Sequence, residues 1–267
     1  MGRIIAIANQ KGGVGKTTTC VNLAASLAAA KRRVLLIDLD PQGNATMGCG
    51  IDKREVIHST CDVLLGDAQV DQAALTLEAA GFDVLPANDD LTAAEVQLMG
   101  AQHREQRLSQ ILATVRDRYD YLFIDCPPAL NILTLNALTA ARGVIVPMQC
   151  EYYALEGLSS LMNTITQVQK TVNPALELEG LLRTMYDTRN NLANEVSEQL
   201  KLHFGDKVYN TVIPRNVRLA EAPSHGLPVL LYDRTSRGAL AYLTLAGEML
   251  RRQRITPETV EMAHNGG

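Results

Sequence analysis

Ile4-Ile5-Ala6-Ile7-Ala8-Asn9-Gln10-Lys11-Gly12-Gly13-Val14-Gly15-Lys16-Thr17-Thr18-Thr19 decides how this chain is read. The apolar run spells a buried strand, a glycine-rich turn follows, and helix-period positions continue through Leu23 and Leu27 to Ala30. Strand, turn and helix in that order present backbone N–H groups and a helix N-terminus to a polyphosphate. Gly12, Gly13 and Gly15, with Val14 among them, let the backbone approach the phosphates closely. Lys16 is placed to reach the β- and γ-phosphates, and the Thr17 hydroxyl, with Thr18 beside it in the loop, to ligate Mg²⁺. The common form of this loop has glycine five positions before Gly15. Gln10 stands there instead, and Lys11 follows it.

Two more apolar runs end in carboxylates. Val34-Leu35-Leu36-Ile37 leads to Asp38 and Asp40, and Tyr121-Leu122-Phe123-Ile124 leads to Asp125. A carboxylate at the mouth of a buried strand, downstream of a phosphate loop, is where Mg²⁺ is held directly or through water. Thr17, Asp40 and Asp125 are therefore the expected metal set.

Other short apolar runs at Phe82–Leu85, Val144–Val146, Leu178–Leu182 and Val208–Ile213 read as buried parallel strands. Helical patterns lie between them, at 108–115, 155–168, 194–202 and 240–250. The alternation predicts an α/β fold, a doubly wound, mostly parallel sheet with helices on both faces. Ligands of such sheets sit at the carboxyl ends of the strands. Residues 43–77 are less regular and are expected to form a loop with short helices over one edge of the nucleotide site. A single domain over 1–254 is expected, with a polar, frayed tail over 255–267.

Composition narrows the class. The chain has 267 residues, 46% hydrophobic content and a net charge of −4. That is enough apolar material for one large core, and the charge argues against a generic nucleic-acid binder. The charge is uneven, however: residues 183–254 hold 11 Lys/Arg against seven Asp/Glu. No apolar run of about 18 residues is present, so no membrane span is expected. The first strand begins almost at the N-terminus, so neither a signal peptide nor an added DNA-reading domain is expected before it. Five cysteines without CxxC spacing read as reduced thiols rather than a zinc or disulfide framework.

The strings Asn9–Thr19, Asp38–Thr46, Asp125–Pro128, Gln149–Gly157 and Ile213–Gly226 together resemble the ParA/Soj partition ATPases, within the wider deviant Walker A group that also contains MinD. The resemblance spans residue 3 to about residue 250, and the last string is its narrowest marker. It implies an ATPase using ATP and Mg²⁺, slow alone and stimulated by dimerisation and by a ParB-like (Spo0J-like) partner. It implies an ATP-dependent sandwich homodimer that binds double-stranded DNA without sequence preference, cytoplasmic and nucleoid-associated. By the same resemblance Lys11 crosses that dimer to the partner's phosphates, Asp40 orients the attacking water, and Pro214 and Asn216 meet the adenine. Arg189 and Arg218 are the implied DNA-binding residues. Trans supply of Lys11 makes physical sense, because phosphoryl transfer is mostly charge neutralisation and positioning, and Lys16 already serves its own γ-phosphate.

Other classes remain open on the sequence. A membrane-surface ATPase like MinD needs a basic amphipathic C-terminal helix, and Leu243–Leu250 with Arg251, Arg252 and Arg254 is followed by Glu258 and Glu261, which reverse the charge. A reductase resembling the nitrogenase iron protein needs paired cluster cysteines in glycine-rich loops, whereas Cys126 precedes Pro127-Pro128. A ligase resembling dethiobiotin synthetase needs a dedicated substrate pocket.

Overall fold

Alternate residues of each central strand enter opposite cores, which fixes the layering. Ile4, Ala6, Leu35 and Ile37 pack into one apolar cluster, and Ile5, Ile7, Val34 and Leu36 into the other. The computed structural model describes the backbone of residues 1–264 and the side chains of 1–253. Its seven strands are β1 (Arg3–Ile7), β2 (Val34–Asp38), β3 (Leu75–Leu77), β4 (Phe82–Leu85), β5 (Tyr121–Asp125), β6 (Gly143–Met148) and β7 (Glu177–Arg183). They form one sheet in the order β3-β4-β2-β5-β1-β6-β7. Every pairing is parallel except β3 with β4. The doubly wound, mostly parallel α/β architecture is therefore as expected.

One face is covered by the helix Lys16–Ala29 and the C-terminal helix Arg237–His264, through Leu23, Leu27, Tyr242, Leu245 and Met249. The helices Arg107–Ala113, Ile132–Ala140 and Ala154–Thr171 cover the other, through Leu108, Leu133, Leu158 and Ile165. Each fully buried side chain of this size contributes roughly 1.5–3 kcal/mol. Of residues 43–77, the expected short helices form at Asn44–Gly48, Thr60–Leu65 and Val70–Ala73, but Leu75–Leu77 joins the sheet as the edge strand β3. All five cysteines are free and buried. Among the described residues no helix is long and apolar enough to cross a membrane.

Val208–Ile213 is a correction: it forms no strand of the sheet. Val208 makes a single bridge to Leu181, and then the amides of Asn210 and Thr211 turn to the Glu248 carboxylate, each at 2.8 Å. A side chain from the C-terminal helix takes the donors that a neighbouring strand would have used. The expected frayed tail lies in residues whose side chains, and from 265 onward whose backbone, fall outside the described residues.

Candidate nucleotide and metal site

Strand register assembles the site. Asp38 of β2 stands opposite Asp125 of β5, and Asp125 stands opposite Ile7 of β1. The phosphate loop leaves β1 at that point. Both carboxylates and the loop thus share the carboxyl end of the sheet, beside the central strand from which the chain winds both ways.

The loop is pinned at several points. The Asn9 amide side chain donates to the Pro147 carbonyl at 2.8 Å, and Asn9 Oδ1 accepts from the Lys11 N–H at 3.0 Å. Val14 is buried, and its carbonyl accepts from the Thr184 hydroxyl at 2.7 Å. Gly13 and Gly15 take φ of 72° and 88°, a conformation that side chains rarely adopt. Gly12 has no such need: φ is not positive there, and a Cβ would meet nothing within 4 Å.

Lys16 is 7% exposed, yet among the described residues its ammonium donates only to the Lys11 carbonyl, at 3.2 Å. A nearly buried cation with one neutral partner calls for an anion. Lys11 points elsewhere. Its Nζ donates to Glu151 Oε2 at 2.6 Å, both side chains about half exposed.

Asp38 and Asp125 are fully buried. Asp38 Oδ2 accepts from the Thr46 N–H at 2.8 Å and hydroxyl at 2.7 Å, and Oδ1 from the Asp40 N–H at 3.2 Å. Asp125 is poorly served. Oδ1 accepts a 3.5 Å contact from the Cys20 thiol, and among the described residues no donor lies within hydrogen-bonding geometry of Oδ2. Burial, then the charge of Asp38, pushes Asp125 up to about 8, with Thr17 among the groups that draw it back. Burial also raises Asp38, to about 6, against its bonds from Thr46. Two buried carboxylates side by side repel, and a divalent cation relieves that repulsion. The unpartnered Asp125 oxygen and the hard oxygen donors Thr17 and Asp40 therefore fit Mg²⁺. Asp40, 8% exposed, accepts from the Gln42 N–H at 3.0 Å and lines the same cleft.

That cleft measures about 660 Å³ and runs from Gly12, Lys16 and Asp40 to Met185, Pro223 and Leu227. The structure thus brings together Gly12, Gly13, Gly15, Lys16, Thr17, Thr18 and Asp40 on its wall, with Asp125 directly behind. Pro214 and Asn216 are not on that wall: Pro214 bridges Tyr186, and Asn216 Oδ1 is buried without a partner. Arg189 and Arg218 lie outside the cleft, each bound to carboxylates. Arg189 grips Asp187 at 2.8 and 3.0 Å, and Arg218 reaches Glu221 at 2.7 Å and Asp233 at 3.3 Å.

Asp38 also belongs to the site, signalled in the sequence only by the Asp-x-Asp spacing. So does the wall of Met185, Pro223 and Leu227, which the sequence alone does not assign to it. Met185 carries a signal only the backbone shows, a φ of 47° in a non-glycine residue.

Residues 2–178 match the AAA domain family model AAA_31. The chain is 57% identical to the sporulation initiation inhibitor protein Soj of Bacillus subtilis, covering 93% of this chain and 98% of that protein. It is 54% identical to the chromosome partitioning protein ParA of Caulobacter vibrioides, over 94% of this chain and 95% of that one. Among solved structures it resembles cobyrinic acid a,c-diamide synthase from Mycobacterium smegmatis with bound ADP and magnesium. The TM-score is 0.83 at 40% identity, over 95% of this chain and 96% of that one. Motifs, sheet order and these relatives agree, and the chain belongs to the ParA/Soj family of chromosome-partitioning ATPases.

Proposed function

We propose that this chain is an ATP-driven switch for DNA segregation: ATP closes a homodimer that binds DNA without sequence preference, and hydrolysis stimulated by a ParB-like partner releases it. The observation that carries the reading is the pairing of a nearly buried, anion-hungry Lys16 on the cleft wall with a partnerless oxygen of the buried Asp125 at the carboxyl end of β5. A metal-bound polyphosphate satisfies both.

Lys16 and the N–H groups of residues 12–18 hold the phosphates, and Thr17, Asp40 and Asp125 hold Mg²⁺. When bound, that ion neutralises phosphate charge. Asp40 orients the attacking water, and Lys11 leaves Glu151 to serve the partner's γ-phosphate. Asn216 Oδ1, buried and free, offers an acceptor to the adenine amino group, with Pro214 beside it. Arg189 and Arg218 join the DNA-facing surface. A place on the nucleoid follows from DNA binding. The MinD-like alternative loses support from the C-terminal helix, whose Leu245, Ala246 and Met249 are buried in the core rather than free to lie on lipid.

The test is ATP turnover with DNA and a ParB-like protein, alone and together, alongside dimerisation by light scattering. Synergistic stimulation and an ATP-dependent doubling of mass are expected. A protein that stays monomeric with ATP, or whose turnover neither ligand changes, refutes the switch.

A further inference from the structure

The basic residues of the C-terminal third are not equivalent once their partners are mapped. Arg189 forms a forked pair with Asp187, so that site is locally neutral. Arg218 sits between Glu221 and Asp233, so its surroundings are locally negative. Arg215, Arg234 and Arg237 are exposed, and among the described residues no ion pair engages them.

The fold places these three around the paired two. The bridge between Tyr186 and Pro214 sets Asp187 beside Arg215, and Arg215 adds to the pull of Arg189 that holds the Asp187 carboxyl down at about 2. Arg237 opens the C-terminal helix. Its neighbour Gly238 packs so tightly on this loop that a Cβ there would lie 3.0 Å from Asn216 Oδ1 and 2.6 Å from Leu219. Arg234 adjoins Asp233, the second partner of Arg218. Five arginines and three carboxylates are therefore carried by three neighbouring segments, 187–189, 215–221 and 233–237.

Resting on the DNA-binding reading above, we propose that Arg215, Arg234 and Arg237 are the principal phosphate contacts of a duplex-DNA face, and that Asp187, Glu221 and Asp233 hold Arg189 and Arg218 partly in reserve. Backbone recognition needs only neutralised phosphates, each releasing counterions. An unpaired exposed arginine delivers its whole charge to a phosphate. A paired one must first give up a carboxylate, which then stays nearby and repels the strand. The dimer doubles the set, so six free guanidiniums face the duplex.

The experiment measures affinity for a duplex of arbitrary sequence by fluorescence anisotropy, with ATP, at several potassium chloride concentrations. Light scattering follows dimerisation on the same samples. For the wild type, each phosphate contact contributes about −0.9 to the slope of log K against log salt. The triple variant Arg215→Ala, Arg234→Ala, Arg237→Ala should flatten the slope by about five units and weaken binding at least 100-fold, with dimerisation intact. The corresponding triple lysine variant should keep most of the affinity, because charge rather than fork geometry is used. Asp187→Asn with Glu221→Gln should strengthen binding several-fold. An unchanged slope in the triple alanine variant, with wild-type binding present, overturns the assignment while leaving DNA binding itself standing. Absence of wild-type binding at low salt overturns both. Sedimentation with phosphatidylglycerol vesicles closes the remaining route: loss of vesicle binding in the triple variant with DNA affinity unchanged assigns these arginines to lipid and refutes the proposal.

Discussion

Lys11 Nζ donates to Glu151 Oε2 at 2.6 Å, across 140 residues of sequence and at the exposed edge of the phosphate loop. The contact keeps the loop's first lysine away from the phosphates that Lys16 is placed to meet. An exposed pair of this kind contributes about 0–1 kcal/mol. It is a resting contact that a stronger anion displaces.

Glu151→Gln removes that competitor and should favour the ATP dimer by up to about fivefold, the equivalent of about 1 kcal/mol. Lys11→Ala should keep nucleotide binding and lose the rise of turnover with protein concentration. Sedimentation equilibrium with ATP, and turnover measured across a concentration series, check both. A Lys11→Ala protein whose turnover still rises with concentration removes the trans role.

Gly12→Val tests the loop from the other side. Within one protomer a Cβ at Gly12 touches nothing and the backbone there needs no glycine, so the fold should tolerate valine. A branched side chain at the open lip of the cleft should instead block a second copy. Nucleotide binding close to wild type, with no doubling of mass on adding ATP, is the expected result. Light scattering showing a normal dimer would falsify the close approach.

Much of this was legible because the deciding chemistry is local. Residues 9–19 carry strand, turn and helix signals in one continuous stretch, and Asp40 and Asp125 follow apolar runs directly. What stayed hidden depends on distant partners. The strand expected at 208–213 fails because Glu248, 37 residues beyond Thr211, captures its amides. The helix Ile132–Ala140 was missed because six of its nine residues are buried, which leaves no polar face to set a period. β3 is three residues at a sheet edge, too short to register. The Asp-x-Asp spacing shows Asp38 in the sequence, but not its pairing with Asp125, which arises from cross-strand register.

Position within the cleft separates two losses of activity. Lys16→Gln should abolish productive nucleotide binding, because it removes the nearly buried cation on the cleft wall. Asp40→Ala should bind ATP, remain dimeric and turn over at least about 100-fold more slowly, the usual cost of losing a positioning group. Isothermal titration and a phosphate-release assay distinguish them. Turnover by Asp40→Ala equal to wild type would rule out its water-orienting role.

Asp125 makes a pH-dependent prediction whose sign is fixed by burial. Its carboxyl sits at about 8 in the folded protein, raised first by burial and then by Asp38, against about 3.9 in an unfolded chain. The metal-free folded state therefore holds this proton more tightly than the unfolded state does. Its contribution to stability is complete below about pH 4 and is lost as pH rises through about 8. Asp125→Asn mimics the neutral carboxyl at every pH. Without metal or nucleotide, the two proteins should melt alike at pH 4, and the variant should melt increasingly higher as pH rises to 9, at about 2–4 °C per kcal/mol for a chain of this size. Mg²⁺ with ADP reverses the order at pH 8, raising the wild type and leaving the variant nearly unmoved, because the wild-type carboxylate then has a cation to meet. Calorimetric scans from pH 4 to 9, with and without Mg²⁺ and ADP, read all of this. Parallel melting curves for the two proteins across that range would show that Asp125 is not the strained carboxyl, and that the partnerless oxygen is satisfied some other way.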